Sequence, residues 1–422
     1  MHNRRGSSSS FSSTGIPIIG GTIVALSLLW VFWPIIGFIF TFPNRTIDFS
    51  TGVNNFNLFS GDSAVTGGHG LNLTREPIEP TFYDDPDLTY TINNPIKNWD
   101  EKRREWLWLH PSFIPGLEKR VMLVTGSQSN PCWNPIGDHL LLRFLKNKVD
   151  FCRIQGSDIF YSNVLFHPKM STYRARIPWI RAAMLAHPEA EWIFWVDSDV
   201  VFTNMDFKLP FQRYKNHNFV VHGWPESIYK KKSWKGLNDG VFLIRNSQWA
   251  FDFMDVWSGI GPNSPKYKKR GGSDDQTGLI YLLLKEKEKW EDKIYVEAGY
   301  YLEGKWMEVM GKLENLTEKY NGVEKGVRRL RKRHGEKVRG YSALWEEYLE
   351  SDGLTRPFVV DFRGCHPCSG RNNKLYSSQI CLDAMEVALN FGDNQVLRSY
   401  GFVHSSLGDS SSVLPLAFDY PA

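Results

Sequence analysis

Charge is absent between Gly15 and Pro43, and residues 16–42 form an almost unbroken apolar run. At about 1.5 Å per residue, a helix of that length crosses the hydrocarbon core of a bilayer. Arg4 and Arg5 precede the run, whereas Arg45 and Asp48 follow it. The positive-inside rule then puts the N-terminus in the cytoplasm and the bulk of the chain on the lumenal side. A cleaved signal peptide is the competing reading, but the run exceeds a usual signal core and lacks a small-residue cleavage site. The chain accordingly divides into a Ser-rich cytoplasmic tail over 1–15, a transmembrane signal anchor over 16–42, a stem over 43–95 and a folded domain over 96–422. The stem is rich in Asn, Gly, Ser, Thr and Pro and has neither helical nor strand periodicity.

After Lys119, short apolar stretches alternate with amphipathic ones, the pattern of an α/β domain. Val121-Met122-Leu123-Val124, leading into Thr125-Gly126-Ser127, and Ile159-Phe160-Tyr161 read as buried strands. A helix is predicted near 178–190. The strand Trp192-Ile193-Phe194-Trp195-Val196 then runs directly into Asp197-Ser198-Asp199. Further strands are predicted near 219–222, 241–244 and 358–362, and helices near 248–257, 275–290 and 382–391. The charged segment 308–350 reads as helical, and its basic run over 325–339 as a solvated face.

Composition adds little to this frame. With 42% hydrophobic and 14% aromatic residues, including 16 Trp, the chain is that of a folded protein. Aromatic faces suit sugars, although core packing is their commoner use. A formal charge of +4 is too small to indicate a nucleic-acid binder. A lumenal location makes sense of the sequons at Asn72-Leu73-Thr74 and Asn315-Leu316-Thr317, with Asn44-Arg45-Thr46 too close to the membrane for use. The five cysteines are an odd set. Cys132 with Cys152, and two of Cys365, Cys368 and Cys381, are the candidate disulfides. Cys365-His366-Pro367-Cys368 resembles half a zinc knuckle but has no second pair.

The chemistry concentrates at Asp197 and Asp199. Carboxylates at the carboxyl end of a buried strand lie where open α/β sheets bind ligands. Two of them cannot easily be neutralised by core partners, and a divalent cation bridging them to a diphosphate would remove their repulsion. Mn²⁺ or Mg²⁺ fits such oxygen ligands and would stabilise charge on a leaving diphosphate. The bland alternative is a pair of turn carboxylates. Asp274-Asp275-Gln276 opens a predicted helix behind Gly271-Gly272-Ser273. One acid suffices to cap a helix; two acids and an amide could instead bind sugar hydroxyls. Gly236-Leu237-Asn238-Asp239-Gly240 reads as a polar loop before a strand, a composition usual in turns.

Several motifs now stand in one order: Trp195-Val196-Asp197-Ser198-Asp199-Val200-Val201-Phe202, Val221-His222-Gly223-Trp224, Gly236-Leu237-Asn238, Asp274-Asp275-Gln276 and Asn390-Phe391-Gly392-Asp393-Asn394-Gln395. Together they resemble plant glycosyltransferase family 34, which holds galactomannan galactosyltransferases and xyloglucan xylosyltransferases. The resemblance runs from about Pro80 to the C-terminus. Phe82-Tyr83-Asp84-Asp85-Pro86 and Asn134-Pro135-Ile136-Gly137-Asp138-His139 look closer to the galactomannan branch. It implies a GT-A fold, with a Rossmann-like mixed sheet flanked by helices, a Golgi address, Mn²⁺ as cofactor and retaining transfer from a UDP-sugar. For this branch the transfer is α-1,6-galactosyl from UDP-galactose onto mannan or glucomannan, the leaving phosphate helping to deprotonate the acceptor. By the same resemblance Asp197, Asp199 and Asp361 hold the metal. Gly126, Ser127, Arg176, Asp197, Ser198, Asn238 and His366 contact the nucleotide sugar, and Asp274, Asp275 and Gln276 form the catalytic group. The implied partners are the donor, the acceptor polysaccharide, the Golgi membrane and other polysaccharide synthases in a homo- or hetero-oligomer.

The chain departs from the family pattern at four places. Val360-Asp361-Phe362 stands where relatives commonly have Thr-His-Phe, and Arg174-Ala175-Arg176 where they often have Trp-Ala-Lys. Asp239 replaces a small neutral residue, and Lys305 a Tyr. A carboxylate still suits Mn²⁺, and Arg176 keeps the charge while changing its shape. The alternatives left open are a xyloglucan α-1,6-xylosyltransferase and a weakly active or noncatalytic scaffold in a synthase complex.

Overall fold

The computed structural model describes residues 95–165, 172–260, 275–326 and 356–415. The expected tail, anchor and stem, the sequons at Asn44 and Asn72, Asp274 and the basic run beyond Gly326 lie outside them. Among the described residues no helix is long and apolar enough to cross a membrane.

The α/β expectation is met by a mixed six-stranded sheet. Its strands are β1 (Val121–Gly126), β2 (Asp158–Ser162), β3 (Trp192–Val196), β5 (Phe219–Gly223), β6 (Leu237–Arg245) and β7 (Ile294–Glu297). They lie in the order β2-β1-β3-β6-β5-β7. β1 runs parallel to β2 and β3, and β5 parallel to β7, whereas β6 is antiparallel to both β3 and β5. The carboxyl ends of β1, β3, β5 and β7 therefore share one edge with the start of β6. β3 is buried at every position, as a central strand covered on both faces must be, and this is why it reads as a continuous apolar run. β2 differs from the expected buried strand. It is the sheet's outer strand, and only Ser162 in it is buried.

Alternate residues feed two cores. Ile193, Trp195, Phe242 and Ile244 join one with α3 (Thr172–Ala186), α4 (Gln248–Gly259) and α5 (Asp275–Lys285). Trp192, Phe194, Val196 and Leu243 join the other, with Phe151, Phe202 and Phe358. The helix α3 starts before the predicted boundary at Pro178 and carries that proline inside it. α2 (Pro135–Gln155) was not foreseen in the pattern. Asn134 caps it by accepting from Ile136 N at 3.2 Å, Pro135 suits its first turn, and Gly156 at φ 68° ends it.

A third core joins α2 to α6 (Trp306–Gly326) and α7 (Ser378–Leu397) through Phe144, Leu313, Phe362 and Met385. It is tied to the sheet by a small ladder in which β4 (Val200–Phe202) pairs antiparallel with β8 (Val359–Asp361), Val200 facing Asp361. A hairpin of β9 (Phe402–Ser406) and β10 (Asp409–Pro415) closes the described chain.

The expected bond between Cys132 and Cys152 does not form. Cys132 is bridged to Cys368, and Cys365 to Cys381, leaving Cys152 as a buried free thiol. The reason is α2: Cys132 precedes its first turn and Cys152 lies near its last, about 25 Å further along the axis.

Candidate active site

The shared edge of the sheet carries the carboxylates. Asp197 follows β3, and its amide donates to Gly240 O of β6 at 2.9 Å. The segment 237–240 is not the loop expected from its composition but the first residues of β6, with Asn238 opposite His222. β8 delivers Asp361 through the β4 ladder, and the start of α5 delivers Asp275. Gly240 lets these groups converge. A Cβ there would lie 3.1 Å from Asn238 Oδ1, 3.2 Å from Asp197 Oδ2 and 3.7 Å from Asp361 Oδ2.

Arg176, from α3, is the hub. Its Nη2 donates to both oxygens of Asp197, at 3.2 and 3.3 Å. Its Nη1 donates to Asp239 O at 2.9 Å and lies 3.0 Å from Asp239 Oδ2 and 3.2 Å from Asp275 Oδ2. The Asp239 oxygen is in ion-pair range without the alignment of a hydrogen bond. Trp195 Nε1 adds a bond to Asp197 Oδ1 at 2.7 Å. Burial opposes the charge on Arg176, yet Asp197, Asp275 and Asp239 raise its pKa above the ordinary range.

The acids respond in the opposite direction. Burial pushes Asp197 up to about 6 against the pull of Arg176, with Asp199 adding repulsion. Asp199 is also raised, mainly by burial. Burial, followed by repulsion from Asp275, takes Asp239 to about 8. Asp361 is raised well above the carboxylate range by burial and then by Asp199 and Asp197. Beneath them Lys148, buried on α2, donates to Ser198 O at 3.0 Å and Val200 O at 2.8 Å. Burial brings this lysine down to about 7 despite the attraction of Asp199 and Asp197.

The remaining expected site residues are placed unevenly around this centre. Gly126 ends β1, but a Cβ there would meet Ser162 O at 2.3 Å and the Trp179 ring at 2.4 Å, so its smallness serves packing between β1, β2 and α3. Ser127 is buried, bonds to Tyr161 Oη at 2.6 Å, and lines a small cleft with Lys148 and Ser198. Asn238 uses its side-chain oxygen on Gly240 N at 2.6 Å. The backbone N–H of Gln276 donates to Asp275 Oδ1 at 3.1 Å. His366 lies in the disulfide-bounded loop after β8, its amide donating to Asn372 Oδ1 at 2.6 Å, close enough for its charge to act on Asp199. Among the described residues, no three His, Cys, Asp or Glu side chains are arranged to hold a metal as they stand. The donor chemistry nevertheless fits a hard divalent cation, because the buried carboxylate of Asp361 and the half-buried ones of Asp197 and Asp199 repel one another.

Lys148 and Arg363 escaped the reading of the sequence. Lys148 falls on the apolar stripe of α2 with Phe144 and Phe151, and a lysine on such a stripe is a signal of a buried task. Arg363 is two residues beyond Asp361, the spacing that puts side chains on one face of an extended chain.

A mixed sheet with acids gathered at its carboxyl edge suits an enzyme acting on a phosphorylated donor, and comparison with known proteins narrows the class: the chain is a glycosyltransferase. The sequence profile of the galactosyl transferase GMA12/MNN10 family, glycosyltransferase family 34, matches residues 117–372, and the chain belongs to that family. It is 52% identical to putative glycosyltransferase 7 of Arabidopsis thaliana, over 96% of this chain and 91% of the relative. It is 49% identical to galactomannan galactosyltransferase 1 of Cyamopsis tetragonoloba, over 99% and 98% respectively. Identity to probable xyloglucan 6-xylosyltransferase 3 of Arabidopsis thaliana is 42%, over 79% of this chain and 71% of the relative.

Proposed function

We propose that the protein transfers galactose from UDP-galactose, with retention, in α-1,6 linkage to mannosyl residues of a galactomannan or galactoglucomannan. It would do so as a type II Golgi membrane protein anchored by residues 16–42, with the domain over 96–422 in the lumen. The observation that carries the reading is the convergence of Asp197, Asp239 and Asp275 on Arg176 at the sheet's carboxyl edge, beside Asp199 and Asp361. The near full-length similarity to a galactomannan galactosyltransferase favours galactose over xylose.

Asp197, Asp199 and Asp361 would hold Mn²⁺, which supplies charge neutralisation at the departing diphosphate. Arg176 orients Asp197, Asp239 and Asp275 so that their oxygens need no reorganisation during the reaction. Lys148 fixes the backbone on both sides of Asp199. Asp275 and Gln276 would face the sugar and acceptor, and Asn238 stiffens the start of β6 by accepting from Gly240 N. The acceptor hydroxyl gives its proton to the leaving phosphate oxygen as the new glycosidic bond forms on the face that the phosphate leaves.

The test is transfer by the purified full chain from UDP-galactose or UDP-xylose to manno- and cello-oligosaccharides, with Mn²⁺ or with chelator. Metal-dependent galactosylation of the manno-oligosaccharide is expected. Xylosylation of the cello-oligosaccharide would replace the donor and acceptor assignment, and no turnover by folded protein would favour a scaffold.

A further inference from the structure

Asp361 does not stand alone at the end of β8. Arg363 Nε lies 3.1 Å from Asp361 Oδ2, and the head of the same guanidinium meets the Glu303 carboxylate. Glu303 has no exposed side chain surface. It is placed by Gly304, whose carbonyl accepts from Asp361 N at 2.8 Å. Gly304 permits that close approach, because a Cβ there would come within 2.5 Å of Val359 O. The chain of contacts Glu303, Arg363, Asp361 is thus built by the backbone of two adjacent segments, with Lys305 bridged to Asp361.

Arg363 faces more than one acid. The charges of Asp239, Asp199 and Asp197 all act on it, and its own charge acts on His222 across the site. With 40% of its side chain exposed it remains reachable from solvent, unlike Arg176 at 11%. A cation in this position has two opposite effects at once. It repels a free metal ion, and it attracts the diphosphate of a nucleotide. It also pairs with one oxygen of Asp361 at ion-pair distance, without the alignment of a hydrogen bond, and so offsets part of that carboxylate's charge.

We infer that Arg363, anchored by buried Glu303, is a positioning residue that offsets the charge of Asp361 and makes metal binding depend on the nucleotide diphosphate. This rests on Asp361 being a metal ligand. In the absence of nucleotide, Arg363 keeps the carboxylate cluster from capturing Mn²⁺ strongly; when UDP arrives, the same guanidinium favours it. Glu303 holds the arginine between the two tasks.

Mn²⁺ binding to the full chain without nucleotide, and UDP binding at saturating Mn²⁺, are measured by calorimetry for the unaltered protein, Arg363→Met, Arg363→Lys and Asp361→Asn. Arg363→Met is expected to tighten Mn²⁺ binding several-fold and weaken UDP binding about tenfold, with Arg363→Lys between the two. Opposite movement of the two affinities is the signature, since loss of structure alone would weaken both. Thermal melting identifies a variant that has unfolded, and the Lys variant then carries the test. If Asp361→Asn weakens Mn²⁺ binding but Arg363→Met moves both affinities the same way or neither, the role of Arg363 is overturned. If Asp361→Asn leaves Mn²⁺ binding unchanged, the metal role of Asp361 falls and this inference with it.

Discussion

Arg176 clasps Asp197 through one terminal nitrogen, at 3.2 and 3.3 Å from its two oxygens. The other terminal nitrogen holds Asp239 and Asp275. Removing a buried ion's partner leaves the others uncompensated. Arg176→Met is therefore expected to lose about 3 kcal/mol of stability in chemical denaturation. Added Mn²⁺ should raise the melting temperature of that variant by more than it raises that of the unaltered protein, because the ion then supplies the missing positive charge.

Lys148 binds two backbone carbonyls on either side of Asp199. Lys148→Met keeps the length of the side chain but leaves both oxygens without this donor. A cost of roughly 1–3 kcal/mol is expected in urea unfolding, together with faster amide exchange at Asp199 and Val200 than elsewhere in the sheet. Unchanged exchange there would separate the lysine from the geometry of the acid loop.

His222 makes stability depend on pH. Burial, aided by Arg363, lowers its pKa from 6.5 to about 4. Between those values the unfolded chain binds a proton that the folded chain does not, so stability rises with pH across that window. The contribution is fully present above about pH 6.5 and is lost as pH falls toward 4, to a limit of roughly 3 kcal/mol. The raised acids at the site act with the opposite sign, so the quantity to measure is the difference between the unaltered protein and His222→Asn. The variant should lose less stability between pH 6.5 and 4.

The bridge between Cys132 and Cys368 spans 236 residues of sequence. Cys132→Ser, Cys368→Ser and the double variant should each lose about 2–5 kcal/mol, and by the same amount, since each removes the same bond. A double variant twice as destabilised would mean that the cysteines act separately.

The central strand and its acids were legible because β3 is buried on both faces and changes from apolar to acidic in a single step at Asp197. The start of β6 was not. Asn238 and Asp239 have the composition of a turn, and they are held as strand by partners elsewhere in the sequence, with His222 opposite Asn238, Arg176 donating to Asp239 O and Asp197 N donating to the adjoining Gly240 O. α2 was hidden for a related reason: Asn147, Lys148 and Asp150 interrupt its apolar stripe, each being buried by partners that periodicity cannot display. Arg176, Asp239 and Asp361 were visible as separate departures from the family pattern. Their contacts and electrostatic coupling appear only when α3, β6 and β8 are brought together.

The cysteine pairing also sets a problem of order. As the chain is made, Cys152 emerges soon after Cys132, whereas the proper partner Cys368 is among the last parts to appear. For most of synthesis the nearest available thiol is the wrong one. In the folded domain Cys152, on α2, is buried with Phe151, Phe194 and Phe202, so the one free thiol is withdrawn from exchange and the bond between Cys132 and Cys368 has no competitor within its own chain.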